Sequence, residues 1–309
     1  MKPKLIVIAG PTASGKTACA VALCKKIGGE VVSADSMQIY RGMDVLSAMP
    51  TKDEMQGVPH HMLNFADPAE KFSAARYRDL AKEAIAQIHA RGVMPVMCGG
   101  TGLYINAVTR PMEFSEKCDE ALRLELLQMA EEPGGRQKLH AMLAEIDPEA
   151  AEKLHENDVR RVTRAIEVYR LTGRTQSEQA RLDAQREGDY AETLFCLRWP
   201  REELYRRIDL RVDMMLRAGL VEEVRKLRRD EQNHPTALQA IGYKEIAAAL
   251  EGRITMDEAI ALVKQLSRNY AKKQMTWFQR DSRTVWIEAM GKNADQITDE
   301  MIKYMEKQQ

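Results

Sequence analysis

The strongest chemical signal lies near the start of the chain, where Gly10, Pro11, Thr12, Ala13, Ser14, Gly15, Lys16 and Thr17 spell G-x-x-x-x-G-K-T. The apolar run Leu5–Ala9 before them reads as a strand, and Ala18–Leu23 after them reads as a helix. That is the context in which the pattern wraps phosphate. Glycines let the backbone curl so that successive N–H groups point at phosphate oxygens, and the helix N-terminus adds its positive dipole end. Lys16 supplies a mobile cation, and the Thr17 hydroxyl is placed to ligate Mg²⁺. The loop predicts a held phosphate or diphosphate, and by itself it reads as a nucleotide site.

Other polar groups are aimed at the same place. Ligands of open parallel sheets bind beyond the carboxyl ends of the strands, and a second strand delivers Asp35, Ser36, Met37 and Gln38 there. Asp35 can ligate metal, act as a general base or simply form the turn. A third strand delivers Gly99-Gly100-Thr101-Gly102, tight backbone that presents the Thr101 hydroxyl at a rim where something else approaches closely. Arg207 and Arg211 fall four residues apart on one helix, Leu204–Met215, which stops near Gly219. Such forks suit diphosphate oxygens. His60-His61 lacks metal-ligand partners at helical spacing and reads as structural. No apolar strand ends in an Asp that would pair with Thr17 on a metal in the manner of a nucleotide hydrolase, which counts against a motor or switch ATPase.

The elements that must position these groups alternate at first. Strands are predicted at Leu5–Ala9, Glu30–Ala34 and Val93–Cys98, with helices over Lys16–Ile27 and Ser73–Ala90 between them. Strands apolar throughout predict a parallel sheet covered on both faces. Ser73 suits a helix N-cap, and Gly92 falls where the chain leaves the helix. From about Pro111 to Tyr190 helical periodicity takes over, as in Leu122, Leu126, Met129, then Leu139, Leu143, then Val159, Val162, Ile166, Tyr169. Breaks are expected at Glu132–Gly135, Asp147-Pro148 and Thr172-Gly173. Strands resume at Thr193–Trp199 and Thr284–Ile287. The expected fold is α/β, a P-loop NTPase-like parallel sheet flanked by helices and carrying an all-helical insertion. Residues 1–111 and 190–309 form the core domain, and residues 112–189 the insertion. A last helix, Ser267–Phe278, mixes cations with aromatics, of which Trp277 and Phe278 are expected in the core.

Composition sets the limits. The 309 residues are 44% hydrophobic and 30% charged, enough for a globular core. No apolar stretch reaches the length of a membrane span. The start of the chain has no signal-peptide pattern, so a cytoplasmic protein is expected. Five cysteines without C-x-x-C spacing argue against a disulfide framework or zinc site and read as buried small hydrophobes. Net charge is zero but unevenly spread: acids dominate Glu113–Glu156, and Arg160, Arg161, Arg164, Arg170 and Arg174 follow. Lys264, Arg268, Lys272, Lys273, Arg280 and Arg283 face almost no acids. Local basic faces of this kind suit a polyanion.

Taken together, the motifs resemble bacterial tRNA dimethylallyltransferases, the enzymes that prenylate A37. The matching pieces are Gly10–Thr17, Ser33–Tyr40, Gly57–His61, Gly99–Tyr104, Asn157–Ala165, Arg211–Met214, Ala240–Glu245, Tyr270–Gln274 and Thr276–Phe278, in order along nearly the whole chain. One departure concerns an RNA contact: an arginine is expected after Thr276-Trp277-Phe278, whereas Gln279 stands there with Arg280 behind it. The cysteine- and histidine-rich C-terminal extension of eukaryotic relatives is absent from this sequence.

The resemblance implies that dimethylallyl diphosphate, not a nucleotide, occupies the phosphate loop, held by Lys16, Arg211 and Mg²⁺ on Thr17. It implies that Asp35 accepts a proton from N6 of adenosine 37, with Thr101 as a second catalytic residue. A stacked base cannot reach such a site, so the base is expected to flip into a channel between core and insertion. The tRNA anticodon stem-loop is expected to meet Asp35, Ser36, Met37, Gln38, Thr101, Arg123, Val159, Arg160, Arg161, Val162 and Thr163. A monomer is expected, with no membrane partner. The competing expectations are a small-molecule P-loop kinase, which has no use for a basic C-terminal helix, and an RNA-binding switch without chemistry.

Overall fold

The structure is a computed structural model that describes residues 2–70, 72–114, 119–229 and 237–308. Strand β1 (Lys4–Ala9) is apolar from Leu5 onward and buried on both faces, as a central parallel strand must be. It lies inside a six-stranded sheet of order β3-β2-β4-β1-β5-β6. The partners are β2 (Gly29–Ser33), β3 (His60–His61), β4 (Met94–Gly99), β5 (Ala191–Arg198) and β6 (Thr284–Glu288). Every pairing is parallel, as the uninterrupted apolar runs predicted.

Alternate residues of β1 serve two cores. Ile6 and Ile8 pack with helices α1 (Lys16–Ile27) and α14 (Ala294–Glu306). Leu5, Val7 and Ala9 pack on the other face with α3 (Ala74–Ala90), α4 (Gly102–Thr109), α11 (Leu220–Arg228) and α12 (Tyr243–Leu250). Ser73 caps α3 as expected, its Oγ accepting from the Arg76 N–H at 3.1 Å. Between β2 and β3 lies the short α2 (Lys52–Met55), and α10 (Arg201–Arg217) and α13 (Met256–Gln279) cross above the sheet's carboxyl end. Among the described residues no helix is long and apolar enough to cross a membrane.

The chain divides into two units, one made of the stretches up to Thr109 and from Tyr190, the other of Arg110–Asp189. The second unit is helical: α5 (Glu120–Glu131), α6 (Gly135–Ile146), α7 (Pro148–Lys153), α8 (Val159–Thr172) and α9 (Gln176–Ala184). Its own core gathers Leu126, Leu139, Leu143, Val162 and Ile166. Asp147 ties it together: Oδ1 caps α7 by accepting from Ala150 N–H at 3.1 Å, and Oδ2 accepts from Ser177 N–H at 3.0 Å.

Several expectations need correction. The helix ending at Phe278 is not the last one, because α14 follows, capped by Asn293 and Gln296. A break around residues 154–158 separates α7 from α8, which apolar spacing alone did not mark. Tyr169 points outward at 37% exposure although it fits the apolar stripe. Phe278 is in the core, but Trp277 is 41% exposed. Cys19, Cys24, Cys98 and Cys196 are buried thiols, whereas Cys118 lies outside the described residues.

Candidate functional site

The phosphate loop takes its shape from backbone that few residues adopt. Gly15 sits at φ 88° and opens α1 without a side-chain cap, the kind of bare helix N-terminus at which phosphate oxygens bind. The loop is braced from outside. Arg207 donates from Nε to the Ala13 carbonyl at 2.9 Å and stacks over the Trp199 ring at 4.2 Å. Trp199 in turn donates from Nε1 to the Ser14 carbonyl at 2.9 Å. Arg207 therefore buttresses the loop from its flank. Lys16 folds back so that Nζ donates to the Pro11 carbonyl at 2.8 Å. Burial pushes its ammonium down, and Arg211 nearby acts in the same direction.

Two cavities open on this loop. The first, about 300 Å³, is bordered by Thr12, Lys16, Thr17, Asp35, Ser36, Met37, Gln38, Cys98 and Arg211, among others. The second, about 530 Å³, lies toward α10 and is bordered by Ala13, Ser14, Gly15, Arg207 and Arg211 with the apolar Val45, Met49, Leu210 and Met214. Lys16, Thr17, Pro50 and Arg211 border both. Cations thus border both chambers, of which the one toward α10 is the more apolar.

In the first cavity Asp35 is fixed at the end of β2 by the Met37 N–H, which donates to Oδ1 at 2.9 Å. The same carboxylate borders the cavity that Lys16 and Arg211 line. Thr101 stands directly behind: its Oγ1 accepts from the Ser36 N–H at 3.1 Å. Gln38 is occupied by its own loop, taking a hydrogen bond from Ser33 Oγ at 3.1 Å and donating to the Ala48 carbonyl at 3.3 Å. Of the two histidines, His61 Nε2 meets the Glu30 carboxylate at 2.7 Å, a structural role. His60 donates from Nδ1 to the Val58 carbonyl at 2.8 Å and also borders the cavity.

Three residues that sequence reading did not single out as site residues complete this arrangement. Gln274, 5% exposed, accepts from the Thr12 N–H at 2.8 Å and donates to the Gly100 carbonyl at 2.9 Å. Tyr270, one turn earlier on α13, borders the same cavity, and burial pushes its phenol up to about 12. Glu223 on α11 accepts from the N–H groups of Val45 and Leu46 at 2.9 and 2.7 Å, pinning the loop that borders both cavities. Burial raises its carboxyl. None of these pairings is local in sequence, so no short motif announces them.

The glycines after β4 now have a physical cause. A Cβ on Gly100 would stand 2.2 Å from Gln274 Nε2, and one on Gly102 would stand 2.2 Å from the Trp277 ring. The expected close approach is α13 itself.

In the helical unit, Arg160 and Arg161 on the first turn of α8 are exposed, Arg161 pairing with Asp158 at 3.2 Å. Val159 packs at the edge of that unit's core. Val162 and Thr163, also expected on the RNA path, are buried at 1% and 2% exposure. Arg123 forks onto Glu167, a fully buried carboxylate, with contacts of 2.9–3.2 Å. Gln279 and Arg280 are both exposed at the end of α13.

The profile of the IPP transferase family matches residues 38–281. The chain belongs to the IPP transferase family. A relative named tRNA dimethylallyltransferase from Carboxydothermus hydrogenoformans is 44% identical over 303 residues, covering 98% of this chain and 97% of the relative. Another of that name from Geobacillus thermodenitrificans is 48% identical, covering 93% and 91%. The crystal structure of the full-length tRNA isopentenylpyrophosphate transferase from Bacillus halodurans superposes with a TM-score of 0.74 at 42% identity, over 98% of this chain and 96% of that one. A eukaryotic dimethylallyltransferase described as acting on tRNA superposes at 0.82 with 29% identity, over 98% and 80%. The chain thus shares its α/β fold with these two transferases over nearly its whole length.

Proposed function

We propose that this chain transfers the dimethylallyl group of dimethylallyl diphosphate to the exocyclic N6 of adenosine 37, beside the anticodon of tRNA, and releases diphosphate. The observation that carries this is one cavity bordered by Lys16, Thr17 and Arg211 on one side and by Asp35 on the other. An anion-binding loop beside a carboxylate is what the chemistry requires.

The diphosphate lies on the loop Gly10–Thr17, against the N-terminus of α1. Cleavage of the allylic C–O bond leaves its electron pair on the bridging oxygen. Lys16, Arg211 and the loop N–H groups stabilise that charge in a site already poor in water. The N6 lone pair forms the new C–N bond. Because that lone pair is delocalised into the ring, the nitrogen must shed a proton as the bond forms, and Asp35 takes it. Thr101 holds the backbone beside Asp35, its Oγ1 accepting from the Ser36 N–H. The base leaves its stack to enter the cavity.

Mg²⁺ fits as an ion carried by the substrate. Among the described residues no cluster of three His, Cys, Asp or Glu side chains could hold a metal alone, so Thr17 Oγ1, diphosphate oxygens and water would share it. There it would neutralise charge on the diphosphate. The helical unit, residues 112–189, takes the anticodon stem-loop, with Arg160 and Arg161 as phosphate contacts. A monomer acting in the cytoplasm completes the proposal.

The test is direct. The protein is incubated with dimethylallyl diphosphate, Mg²⁺ and an anticodon stem-loop carrying adenosines after the anticodon, and the RNA is weighed by mass spectrometry. One added dimethylallyl group on the RNA is the expected result. An unchanged RNA together with ATP consumption on a small acceptor would replace this proposal with a kinase.

A further inference from the structure

We propose that Gln274 is a positioning residue for the transfer step, setting the phosphate loop at a fixed distance from the Gly99–Gly102 loop. The proposal rests on the prenyl-transfer reading above. Its basis is the amide itself. Oε1 accepts from Thr12 in the loop that holds the leaving group, and Nε2 donates to Gly100 in the loop that carries Thr101.

Each end of the amide has a partner of the opposite kind, so the side chain must both accept and donate. A neutral amide does this, and a carboxylate or an aliphatic chain of the same length does not. The fit leaves no slack: Gln274 is 5% exposed, and Gly100 is the residue whose missing Cβ makes room for Nε2. The connection then continues toward the acceptor. Gly100 adjoins Thr101, and Thr101 Oγ1 accepts from the N–H of Ser36, the residue after Asp35. Thr12 is thereby linked to the backbone beside Asp35 through Gln274 and the Gly100-Thr101 segment. Gln274 touches no reacting atom. It acts by fixing where the carbon–oxygen bond breaks relative to where the proton leaves, and displacements of about 1 Å in such a relation cost on the order of a hundredfold in rate.

A purely architectural glutamine would give a different result on substitution. In Gln274→Glu the ionised side chain still accepts from Thr12 but cannot donate to Gly100. Protonated, it does both. A carboxyl buried here titrates above its ordinary range, so the donor returns as pH falls. The titratable groups around its cavity are Tyr270 on α13, Lys16 on the phosphate loop, Asp35 after β2, His60 on β3, Cys98 on β4 and Arg211 on α10. The wild type carries all of them, so the ratio of variant to wild type at each pH isolates position 274.

The experiment measures single-turnover transfer to the stem-loop from pH 5.5 to 8.5 for wild type, Gln274→Glu and Gln274→Met. Binding of inorganic diphosphate and of the stem-loop is measured on the same preparations. The expected result is a loss of about tenfold to a hundredfold in rate for both variants at pH 8, with binding of either ligand changed less than about threefold. The ratio to wild type rises toward low pH for Gln274→Glu and stays flat for Gln274→Met. Unchanged rates overturn the proposal. So does a loss of binding as large as the loss of rate, or the same pH course in both variants. If Gln274→Glu fails to fold, Gly100→Ala, which presses a methyl onto Nε2, must give the same split between rate and binding. An inactive wild type overturns prenyl transfer instead.

Discussion

Arg211 donates from Nη2 to the Ala48 carbonyl at 3.0 Å while bordering both cavities of the phosphate loop. Ala48 holds φ at 47°, a left-handed value unusual for a residue with a Cβ. The guanidinium therefore serves the wall with one nitrogen, and in the proposed reaction the rest of its fork meets the diphosphate.

That double duty predicts that lysine cannot replace Arg211. A single ammonium cannot hold the Ala48 carbonyl and two diphosphate oxygens together. Arg211→Lys and Arg211→Ala should both lower kcat/KM for dimethylallyl diphosphate by about a hundredfold, and both should weaken inhibition by inorganic diphosphate. Full activity in Arg211→Lys would mean that only charge matters there.

Asp35→Asn keeps an oxygen for the Met37 N–H and so preserves the turn, but it cannot take a proton. Transfer should fall by about two to four orders of magnitude, while stem-loop affinity measured by filter binding stays within about threefold. A comparable loss of affinity would reassign Asp35 to RNA recognition.

Lys16 gives a pH dependence with a definite sign. Burial holds its ammonium below the ordinary value of 10.5, and only the protonated form attracts diphosphate. Affinity is therefore complete below the lowered folded value and declines as pH rises through it. The bound anion draws the value back up, so binding takes up protons at the upper end. Calorimetric titration with inorganic diphosphate in buffers of different ionisation enthalpy reads both effects. Lys16→Arg, which keeps its charge, should be flat over the same range, and an identical slope in that variant would assign the titration elsewhere.

Arg283 predicts a loss of stability. Its guanidinium meets Glu192 at 2.7 Å, Asp281 at 2.7 and 3.0 Å, Thr109 Oγ1 at 3.1 Å and Asn106 at 3.0 Å. Both carboxylates are largely buried. Arg283→Met should destabilise the protein by about 3 kcal/mol, read as a lower urea midpoint, because two buried charges lose their cation. A midpoint within error of wild type would show that water satisfies them.

What the sequence made legible was what is local. The phosphate loop is one continuous motif, Asp35 follows its strand by position, and Arg211 is found by counting turns from Arg207. Gln274 is different: its partner Thr12 is 262 residues away, and a glutamine among cations on an amphipathic helix has no signature of its own. Trp277 misled because an aromatic at helical spacing usually faces the core; here the bare backbone of Gly102 accepts its ring near the surface. Thr163 sits inside a motif rich in arginine, yet the turn of α8 directs it inward beside Val162. Helix α14 did carry a cap signal, Asn293 with Gln296, obscured by the charges that cover its outer face.

Tyr270 and Gln274 border the first cavity, Gln274 and Trp277 meet Gly100 and Gly102, and all three lie on one stripe of a single 24-residue helix, with Gln274 also reaching the phosphate loop. The spacing of the site is thus graduated in helix turns, about 5.4 Å each, and does not depend on loop length. Surface loops elsewhere can lengthen at little cost. Between Tyr270 and Trp277 the rule is strict: one inserted residue would swing the stripe by about 100°, and the two loops would lose their common gauge while every residue that touches substrate remained in the sequence.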